Sequence, residues 1–412
     1  MCVGVGETGA VTTSPDLDAL LGRLRTDDAG PAREDAPVAV DPADRLLLDE
    51  AAPWLAQAAP GAVAVVDDRY GALTLGAALL TGAGPAGERG SATAPGGRVR
   101  VHQDACTAEA ALDANARAVG MEAAYDRQGL GPGLLAGARV VLLRLPRGLA
   151  ALRDVAEHVA REAGPDVVLL GTARVKHMTR AMNDVLAESF GEVRATLARG
   201  KSRVLVASAP RPARPLTYPV VTDLADVGLR VAAFGAAFAG AGLDLGTRSL
   251  LDRLGADDGP TPGAQGAPPR DVVDLGCGTG LLAAWAARRW PEARVVAADR
   301  SDAAVRSTAL TARENGVADR IRTVRDDAGA TLADASADVV LLNPPFHDGA
   351  AVRTDAAHRM FVTAGRVLRP GGELWCVWNS HLRYRPALER AVGPTTQVAR
   401  DPRFTVTRSV RR

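Results

Sequence analysis

A buried strand that runs into a glycine-rich turn and then into a helix constrains the fold of this chain more than any other feature. Residues 272–275 are apolar apart from Asp274, residues 276–280 contain three glycines, and residues 281–289 are rich in Ala, Leu and Trp. Glycines at such a turn adopt positive φ and let the backbone approach a ligand closely. This order is shared by α/β folds that bind nucleoside cofactors. We therefore predict an α/β fold with cofactor contacts from Asp274, Gly276, Cys277, Gly278 and Gly280.

Apolar runs typical of buried parallel strands occur on both sides of a proline- and arginine-rich segment. The predicted strands, including a terminal antiparallel hairpin, are residues 62–66, 140–143, 167–170, 204–207, 272–275, 294–298, 321–324, 339–342, 373–378, 395–399 and 404–408. Helices are predicted between them, as at residues 149–163 and 178–190. Because 412 residues exceed one compact core, we predict two domains, over residues 37–209 and 220–412, with a linker over 210–219. Residues 1–36 are predicted to be a disordered extension, apart from a short helix near residues 17–24.

The two halves resemble a diverged duplication. Residues 65–71 align with residues 272–278, and Arg144 aligns with Asn343 at the end of a later strand. The first half keeps the apolar strands, but its turn has only Gly71 from the glycine pattern. We therefore predict that the first domain has the fold of the second without its cofactor site.

The composition is that of an ordinary globular protein, with 47% apolar and 24% charged residues. The sequence contains no run of 18 or more apolar residues, so we expect no membrane span, and its first residues do not match a signal peptide. The cysteines are scattered without metal-ligand spacing, so we expect no metal site and a reducing, cytoplasmic location. They are Cys2, Cys106, Cys277 and Cys376.

The net charge is only +1, but the basic residues are unevenly placed. Residues 371–412 contain eight arginines, including Arg383 and Arg385, against three acidic residues. Such a face can contact phosphate, and a solvated arginine-rich surface is an equally good interpretation. Lys176 and Lys201 are the only lysines. A GC-rich genome would produce this bias, and the two exceptions indicate places where a compact ammonium is needed.

Further polar residues follow the predicted strands or precede the glycine turn. Asp299 ends the next strand, where a carboxylate can accept both ribose hydroxyls of a nucleoside or cap a helix. Asp326 and Asp327 end the strand after that, and one of them can accept from an adenine amino group while the other has a simple turn role. Asp244 and Gly246 either lie in the cofactor pocket or begin a helix.

The segment Asn343-Pro344-Pro345-Phe346 follows the fourth strand of the second half. The Asn343 side-chain oxygen and the Pro344 carbonyl can both accept hydrogen bonds from an exocyclic NH2 group, and the prolines rigidify the turn. Phe346 can stack on a flipped or single-stranded base, while His347 can orient that base, bind phosphate or have no role. Together with the glycine turn, this segment predicts methylation of a planar exocyclic amine through orientation and electrostatics.

These motifs resemble those of the S-adenosylmethionine-dependent rRNA guanine-N2 methyltransferases of the two-domain bacterial type. The resemblance covers nearly everything after about residue 40 and includes residues 243–246, 371–374 and 379–382. In the first half, residues 70–74, 145–147 and 173–176 look closer to the large-subunit enzyme than to the small-subunit one. The resemblance implies two tandem Rossmann-like domains, of which the first is inactive and helps to bind RNA and the second binds S-adenosylmethionine and ends in an antiparallel hairpin.

The activity that the resemblance implies is methylation of guanine N2 in ribosomal RNA, with 23S rRNA preferred. Asn343, Pro344, Pro345 and Phe346 would be catalytic, and His347, Arg383 and Arg385 would contact the RNA or ribosomal subunit. One departure is Phe238-Ala239-Gly240, because the family usually has a Phe-Ser pair there. The alternatives are methylation of 16S rRNA guanine N2, of adenine N6 or of a protein glutamine amide, and a non-catalytic RNA-binding or assembly factor. A dehydrogenase would leave the Asn-Pro-Pro-Phe segment unexplained, and the oligomeric state stays open.

Overall fold

The computed structural model describes residues 15–26, 38–83, 97–211, 215–256, 260, 268–345 and 350–412. The chain divides into two compact units between Leu216 and Thr217, with the short segment Asp104–Cys106 assigned to the second unit. This division falls within residues 210–219, the segment that we predict to be a linker.

The first unit contains one sheet of seven strands in the order β3-β2-β1-β4-β5-β7-β6. The strands are β1 (Val63–Val66), β2 (Val99–His102), β3 (Tyr125–Arg127), β4 (Val140–Arg144), β5 (Val168–Arg174), β6 (Phe190–Ala195) and β7 (Ser202–Pro210). The first five strands are parallel, while β7 runs antiparallel to both β5 and β6.

Helices cover both faces of this sheet. They are α1 (Pro15–Arg23), α2 (Pro42–Leu55), α3 (Ala72–Leu80), α4 (Cys106–Val119), α5 (Pro132–Leu135), α6 (Leu149–Glu162) and α7 (Arg180–Ser189). Alternate residues of β1 pack into two different hydrophobic clusters, Val63 and Val65 into one, and Ala64 and Val66 into the other. This two-sided burial explains why the strand is a continuous apolar run.

Helix α1 matches the short helix that we predict near residues 17–24. Its Leu17, Leu20 and Leu21 are buried within the hydrophobic cluster that covers one face of the first sheet. Apolar side chains at this helical spacing gain enough burial to offset the entropy of ordering a short segment. The rest of the predicted extension lies outside the described residues, apart from the three residues that follow α1.

The second unit contains a seven-stranded sheet in the order β12-β11-β10-β13-β14-β16-β15, and a separate hairpin of β8 and β9. The strands are β8 (Val220–Leu224), β9 (Leu229–Ala233), β10 (Asp271–Leu275), β11 (Arg294–Asp299), β12 (Ile321–Arg325), β13 (Ala337–Leu342), β14 (Leu368–Asn379), β15 (Thr395–Arg400) and β16 (Phe404–Val410). Strands β10 to β14 are parallel, and β16 is antiparallel to β14 and β15. The predicted terminal hairpin is therefore confirmed.

The helices of the second unit again lie on both faces of the sheet. They are α8 (Leu245–Leu254), α9 (Leu281–Arg289), α10 (Asp302–Glu314), α11 (Ala350–Val367) and α12 (Arg385–Ala391). Val272 and Val295 belong to one buried cluster, whereas Val273 and Leu275 belong to the cluster on the other face. The structure confirms the predicted α/β class with two sheets of Rossmann-like layering.

The two seven-stranded sheets have the same strand order and the same antiparallel edge, which supports the duplication, but the sequence alignment of the first turn is wrong by two residues. In the first sheet Val65 pairs with Leu142, and in the second sheet Asp274 pairs with Leu341. The equivalent of Asp274 is therefore Val65. The alignment matched Val65-Val66 with Val272-Val273 because both are valine pairs, although they lie at different positions along the two strands.

Within the described residues, no helix is long and apolar enough to cross a membrane. The same part of the chain holds no group of three or more His, Cys, Asp or Glu side chains arranged to bind a metal ion.

Candidate active site

Five neighbouring parallel strands of the second sheet end at one edge, and the predicted site residues lie at these ends or shortly after them. In the spatial order β12, β11, β10, β13 and β14, these residues are Asp326, Asp299, Gly276, Asn343 and Arg383. The carboxyl edge of such a sheet is where open α/β folds bind ligands. The structure thus brings together residues that are up to about 110 positions apart in the sequence.

Asp274 lies on the central strand directly below the glycine turn. Its Oδ2 accepts a hydrogen bond of 2.9 Å from the backbone N–H of Ala283 in α9. Its Oδ1 is buried and has no partner among the described residues. Burial raises the pKa of Asp274 to about 7.

The turn itself needs glycine for steric reasons at its last position. Gly280 caps α9 with φ 76°, and a Cβ there would lie 2.7 Å from Thr308. Thr308 also contacts the buried Cys277, with Oγ1 and Sγ 3.2 Å apart. Burial raises the pKa of the Cys277 thiol well above its usual range, so this residue contributes backbone and volume, not a thiolate.

Asp299 is tied to the glycine turn by a backbone hydrogen bond. The N–H of Gly278 donates to Asp299 Oδ2 over 3.0 Å, and the N–H of Ser301 donates to Oδ1 over 3.0 Å. The helix α10 is capped by Ser301, whose Oγ accepts from Ala304, so Asp299 is not itself the cap. Burial raises the pKa of Asp299. Each carboxylate oxygen keeps a further lone pair for a ligand.

The paired carboxylates after β12 have different surroundings. Asp326 is buried, and its Oδ2 accepts from Thr331 N–H over 2.7 Å and from the Thr331 hydroxyl over 2.9 Å. Asp327 instead forms an ion pair of 2.8 Å with Arg359 of α11. The backbone N–H of Asp326 donates to the carbonyl of Asp299 over 2.9 Å, which joins the ends of β12 and β11.

Asn343 is held by the first turn of α8. Its Nδ2 donates to Thr247 Oγ1 over 3.0 Å and to Asp244 Oδ1 over 3.2 Å. Its Oδ1 is buried and has no partner within the described chain. Asp244 is the N-cap of α8 and accepts from the backbone of Gly246 and Thr247, which agrees with the helix-start alternative for this segment. Phe346 and His347, which follow the two prolines, lie outside the described residues.

The two predicted RNA-contacting arginines lie beyond the end of β14. Both side chains are on exposed residues. Arg385 forms an ion pair of 2.9 Å with Glu389 one helical turn later, while Arg383 ends a short 3-10 helix, Ser380–Leu382, with φ 52°. Their position after the strand next to Asn343 places them at the same edge of the sheet.

Comparisons with known proteins identify the family. The methyltransferase small domain model matches residues 228–408, and the RLMG N-terminal domain model matches residues 30–211. The chain is 33% identical over 385 residues to ribosomal RNA large subunit methyltransferase G of Pseudomonas syringae pv. syringae, covering 91% of this chain and 94% of that protein. The protein of the same name from Streptomyces coelicolor is 37% identical over 279 residues, covering 66% and 72%.

This chain belongs to the ribosomal RNA large subunit methyltransferase G family. The predicted resemblance, with its preference for the large-subunit enzyme, is confirmed. Family membership also confirms the predicted enzyme class, a methyltransferase, with S-adenosylmethionine as the methyl donor.

A solved structure shows the fold of this family member over most of its length. A 16S rRNA N2 methyltransferase of T. thermophilus (RsmC), solved in complex with AdoMet and guanosine, has a TM-score of 0.67 and 22% identity. The similarity covers 88% of this chain and 92% of that one.

The residues of this methyltransferase G family member fit S-adenosylmethionine at the carboxyl edge. Gly278 has open space where a side chain would lie, next to the Asp299 carboxylate. The unpartnered Asp274 Oδ1 is a buried acceptor beside the same turn. Thr247 and Thr308 were not predicted as site residues, and no sequence signal marks them, because their partners are distant along the chain.

Proposed function

We propose that this protein transfers a methyl group from S-adenosylmethionine to the exocyclic N2 amine of a guanine in large-subunit ribosomal RNA, in the cytoplasm. The observation that carries the proposal is the buried, unpartnered Oδ1 of Asn343 at the carboxyl edge of the sheet. An unsatisfied buried acceptor is costly, and it persists where a ligand completes it. The choice of large-subunit ribosomal RNA as the substrate rests on the names of the relatives.

An exocyclic amine has two hydrogens, and the site offers two acceptors for them. Asn343 Oδ1 accepts one hydrogen and the backbone carbonyl of Pro344 accepts the other. This arrangement directs the nitrogen lone pair away from the protein acceptors. The cofactor supplies an electrophilic methyl group on a sulfonium. Since the amine can lose its proton after the transfer, the site needs orientation more than a strong base.

The remaining residues along the edge have roles in holding the two ligands. Asp299 accepts hydrogen bonds from the ribose hydroxyls, and Asp326 accepts one from the adenine amino group. The glycine turn lets the backbone approach the cofactor, and Asp274 lies directly below that turn. Asp244 and Gly246, at the start of α8, contribute to the cofactor site next to Asn343. Phe346 stacks on the guanine and His347 orients it, in line with their position after Pro345.

The predicted first domain, over residues 37–209, lies in the first unit and contributes to RNA binding. Its only two lysines, Lys176 and Lys201, are also the only two in the chain, and their strand ends are neighbours, because Val175 N–H donates to the Lys201 carbonyl over 2.9 Å. Both are exposed, and neither is ion-paired within the described part of the chain. Burial and four nearby cations lower the pKa of His177. These cations are Arg147, Lys176, Arg174 and Arg69.

A local positive potential of this kind favours RNA phosphates. The lysines supply compact, exposed ammonium groups that bind phosphate as point charges. Arg383 and Arg385 in the second unit provide further basic groups for the same substrate.

The deciding experiment follows labelled methyl from S-adenosylmethionine into separated, unmodified large and small ribosomal subunits and into their naked RNAs. Label on guanine N2 of large-subunit RNA, lost in Asn343→Ala, is the expected result. Label only in small-subunit RNA, on adenine or on a protein amide would overturn the target. Cofactor binding without any transfer would point to a non-catalytic RNA-binding factor.

A further inference from the structure

Only one orientation of the Asn343 side-chain amide places a hydrogen-bond donor against the acceptors at the start of α8. Its nitrogen faces Asp244 Oδ1 at 3.2 Å and Thr247 Oγ1 at 3.0 Å. A carboxylate only accepts hydrogen bonds, so the amide oxygen cannot replace the nitrogen there without an unfavourable contact between two oxygens. The nitrogen is therefore fixed toward Asp244 and Thr247, which leaves the oxygen as the end of the amide that has no hydrogen-bond partner within the described chain.

The two acceptors are themselves immobilised by the start of α8. Asp244 is the N-cap, and its Oδ1 accepts from Gly246 N–H over 3.0 Å and from Thr247 N–H over 3.1 Å. Thr247 is the third residue of the helix and is buried. The same carboxylate oxygen therefore caps the helix and orients Asn343.

Gly246 allows this close approach of helix and strand end. A Cβ at this position would lie 3.1 Å from Asp244 Oδ1, 3.3 Å from Asn343 Oδ1 and 3.4 Å from Phe404. The first two distances are shorter than ordinary van der Waals contacts, so a side chain here would press on both Asp244 and the Asn343 amide. The start of α8, residues 244–247, therefore packs closely against the Asn343 side chain.

We propose that Asp244 and Thr247 are positioning residues, which lock the amide of Asn343 so that Oδ1 faces the substrate amine. The inference rests on the proposed function of Asn343 as the acceptor for that amine. It assigns to Asp244 a contact with a substrate-binding residue in addition to any contact with the cofactor. In this role the two residues act through Asn343 and do not touch the substrate.

The first unit contains the same arrangement with different chemistry. Asp41 is the N-cap of α2 and Asp44 is the third residue of that helix. Both carboxylates bind Arg144, the residue that aligns with Asn343. Two related units thus use the N-cap and the third helical residue to hold the side chain at the end of the fourth strand, which supports a shared positioning device.

The test compares Thr247→Val, which has nearly the same shape without the hydroxyl, with Thr247→Ser, which keeps it. Each is made in the wild-type and the Asn343→Ala background. We expect Thr247→Val to lower kcat about tenfold, as the loss of one hydrogen bond would, with an unchanged cofactor Kd. Thr247→Ser should stay within about twofold of wild type. In the Asn343→Ala background Thr247→Val should have no further effect, because the two residues act as one unit.

A second readout does not depend on turnover. The chain has five asparagines, so selective 15N-asparagine labelling gives a side-chain amide spectrum in which Asn343 is assigned by its loss in Asn343→Ala. We expect this pair of resonances to shift in Thr247→Val and to stay in place in Thr247→Ser. Thr247→Ala provides the same test should the valine variant fail to fold.

The outcomes separate this inference from the proposed function. Wild-type kcat in Thr247→Val, or an equal loss in both backgrounds, would overturn the positioning role while the methyltransferase activity stands. A wild-type protein that methylates no guanine would overturn the proposed function, and the amide spectrum would still decide the orientation of Asn343. Unmoved resonances in both the valine and the alanine variant would reject the inference.

Discussion

Arg144 of the first unit occupies the strand-end position that Asn343 occupies in the second. Arg144 forms ion pairs with Asp41 and Asp44, so its guanidinium has its partners within the protein. Asn343 instead leaves one oxygen unpartnered. At the same position of the fold, the side chain is paired within the protein in the first unit, whereas in the second unit it keeps one acceptor free among the described residues.

Arg144→Ala should destabilise the first unit strongly. The substitution leaves two carboxylates without their cation at a place where side-chain exposure is only 5% for Asp44 and 12% for Asp41. Breaking a buried ion pair from one side costs about 3 to 5 kcal/mol. Denaturant unfolding followed by circular dichroism measures this change.

Arg45→Ala is the matched control for Arg144→Ala. Arg45 pairs with Asp18, but both side chains are about half exposed, at 41% and 53%, and such surface pairs contribute about 0 to 1 kcal/mol. An Arg144→Ala protein that unfolds at the wild-type denaturant concentration would contradict the view that the pair is a structural replacement for a ligand site.

The sequence was sufficient for the strands that contain long apolar runs and less so for those whose apolar pattern is interrupted. Strands such as β4 and β13 are uninterrupted apolar runs and were predicted. Strands β2, β3 and β6 and the hairpin of β8 and β9 were not predicted. In β3 and β6, which are edge strands, charged and exposed residues interrupt the apolar pattern, because one side of the strand is open to solvent.

The candidate site divides in a similar way. The residues on the strand ends and in the glycine turn were predictable, because their chemistry is local to one motif. The contact of Thr247 with Asn343 was not, since 96 positions separate the two residues. Only the packing of α8 against β14 and β16 brings Thr247 to the residue that follows β13.

The buried carboxyl of Asp274 should make the stability of the cofactor-free protein depend on pH. Its folded-state pKa is raised from 3.8 to about 7 by burial, so its favourable contribution is complete below the unfolded pKa and is lost as pH rises through about 7. We expect Tm to fall by several degrees between pH 6 and pH 8. Scanning calorimetry over this range measures the effect.

Asp274→Asn should remove most of that pH dependence, because the amide keeps an acceptor for Ala283 N–H and cannot ionise. The variant should equal or exceed wild type in Tm at pH 8. If both proteins lose Tm equally between pH 6 and pH 8, some other group is responsible for the slope.

Asn343→Ala and Asp299→Ala should have opposite effects on binding and turnover. Removing the Asn343 oxygen should lower kcat about 100-fold or more, as the loss of one preorganised group does, with a nearly unchanged cofactor Kd. Asp299→Ala should raise the cofactor Kd and recover much of its turnover at saturating cofactor. Isothermal titration calorimetry with single-turnover kinetics separates the two effects, and equal losses in both parameters for Asn343→Ala would show a structural role.

Lys176→Ala and Lys201→Ala should weaken RNA binding through the salt-dependent part of the affinity. Each lysine that neutralises one phosphate contributes about 0.7 to 0.9 to the slope of log K against log salt. The double variant should therefore lower that slope by between about 1 and 2, with no loss of cofactor affinity. Filter binding of large-subunit RNA fragments at several salt concentrations measures this slope.

Lys176→Arg with Lys201→Arg keeps the charges and serves as the control. A double alanine variant with the wild-type slope would show that these exposed ammonium groups do not contact RNA, and Arg383→Ala with Arg385→Ala would then test the second basic face by the same measurement.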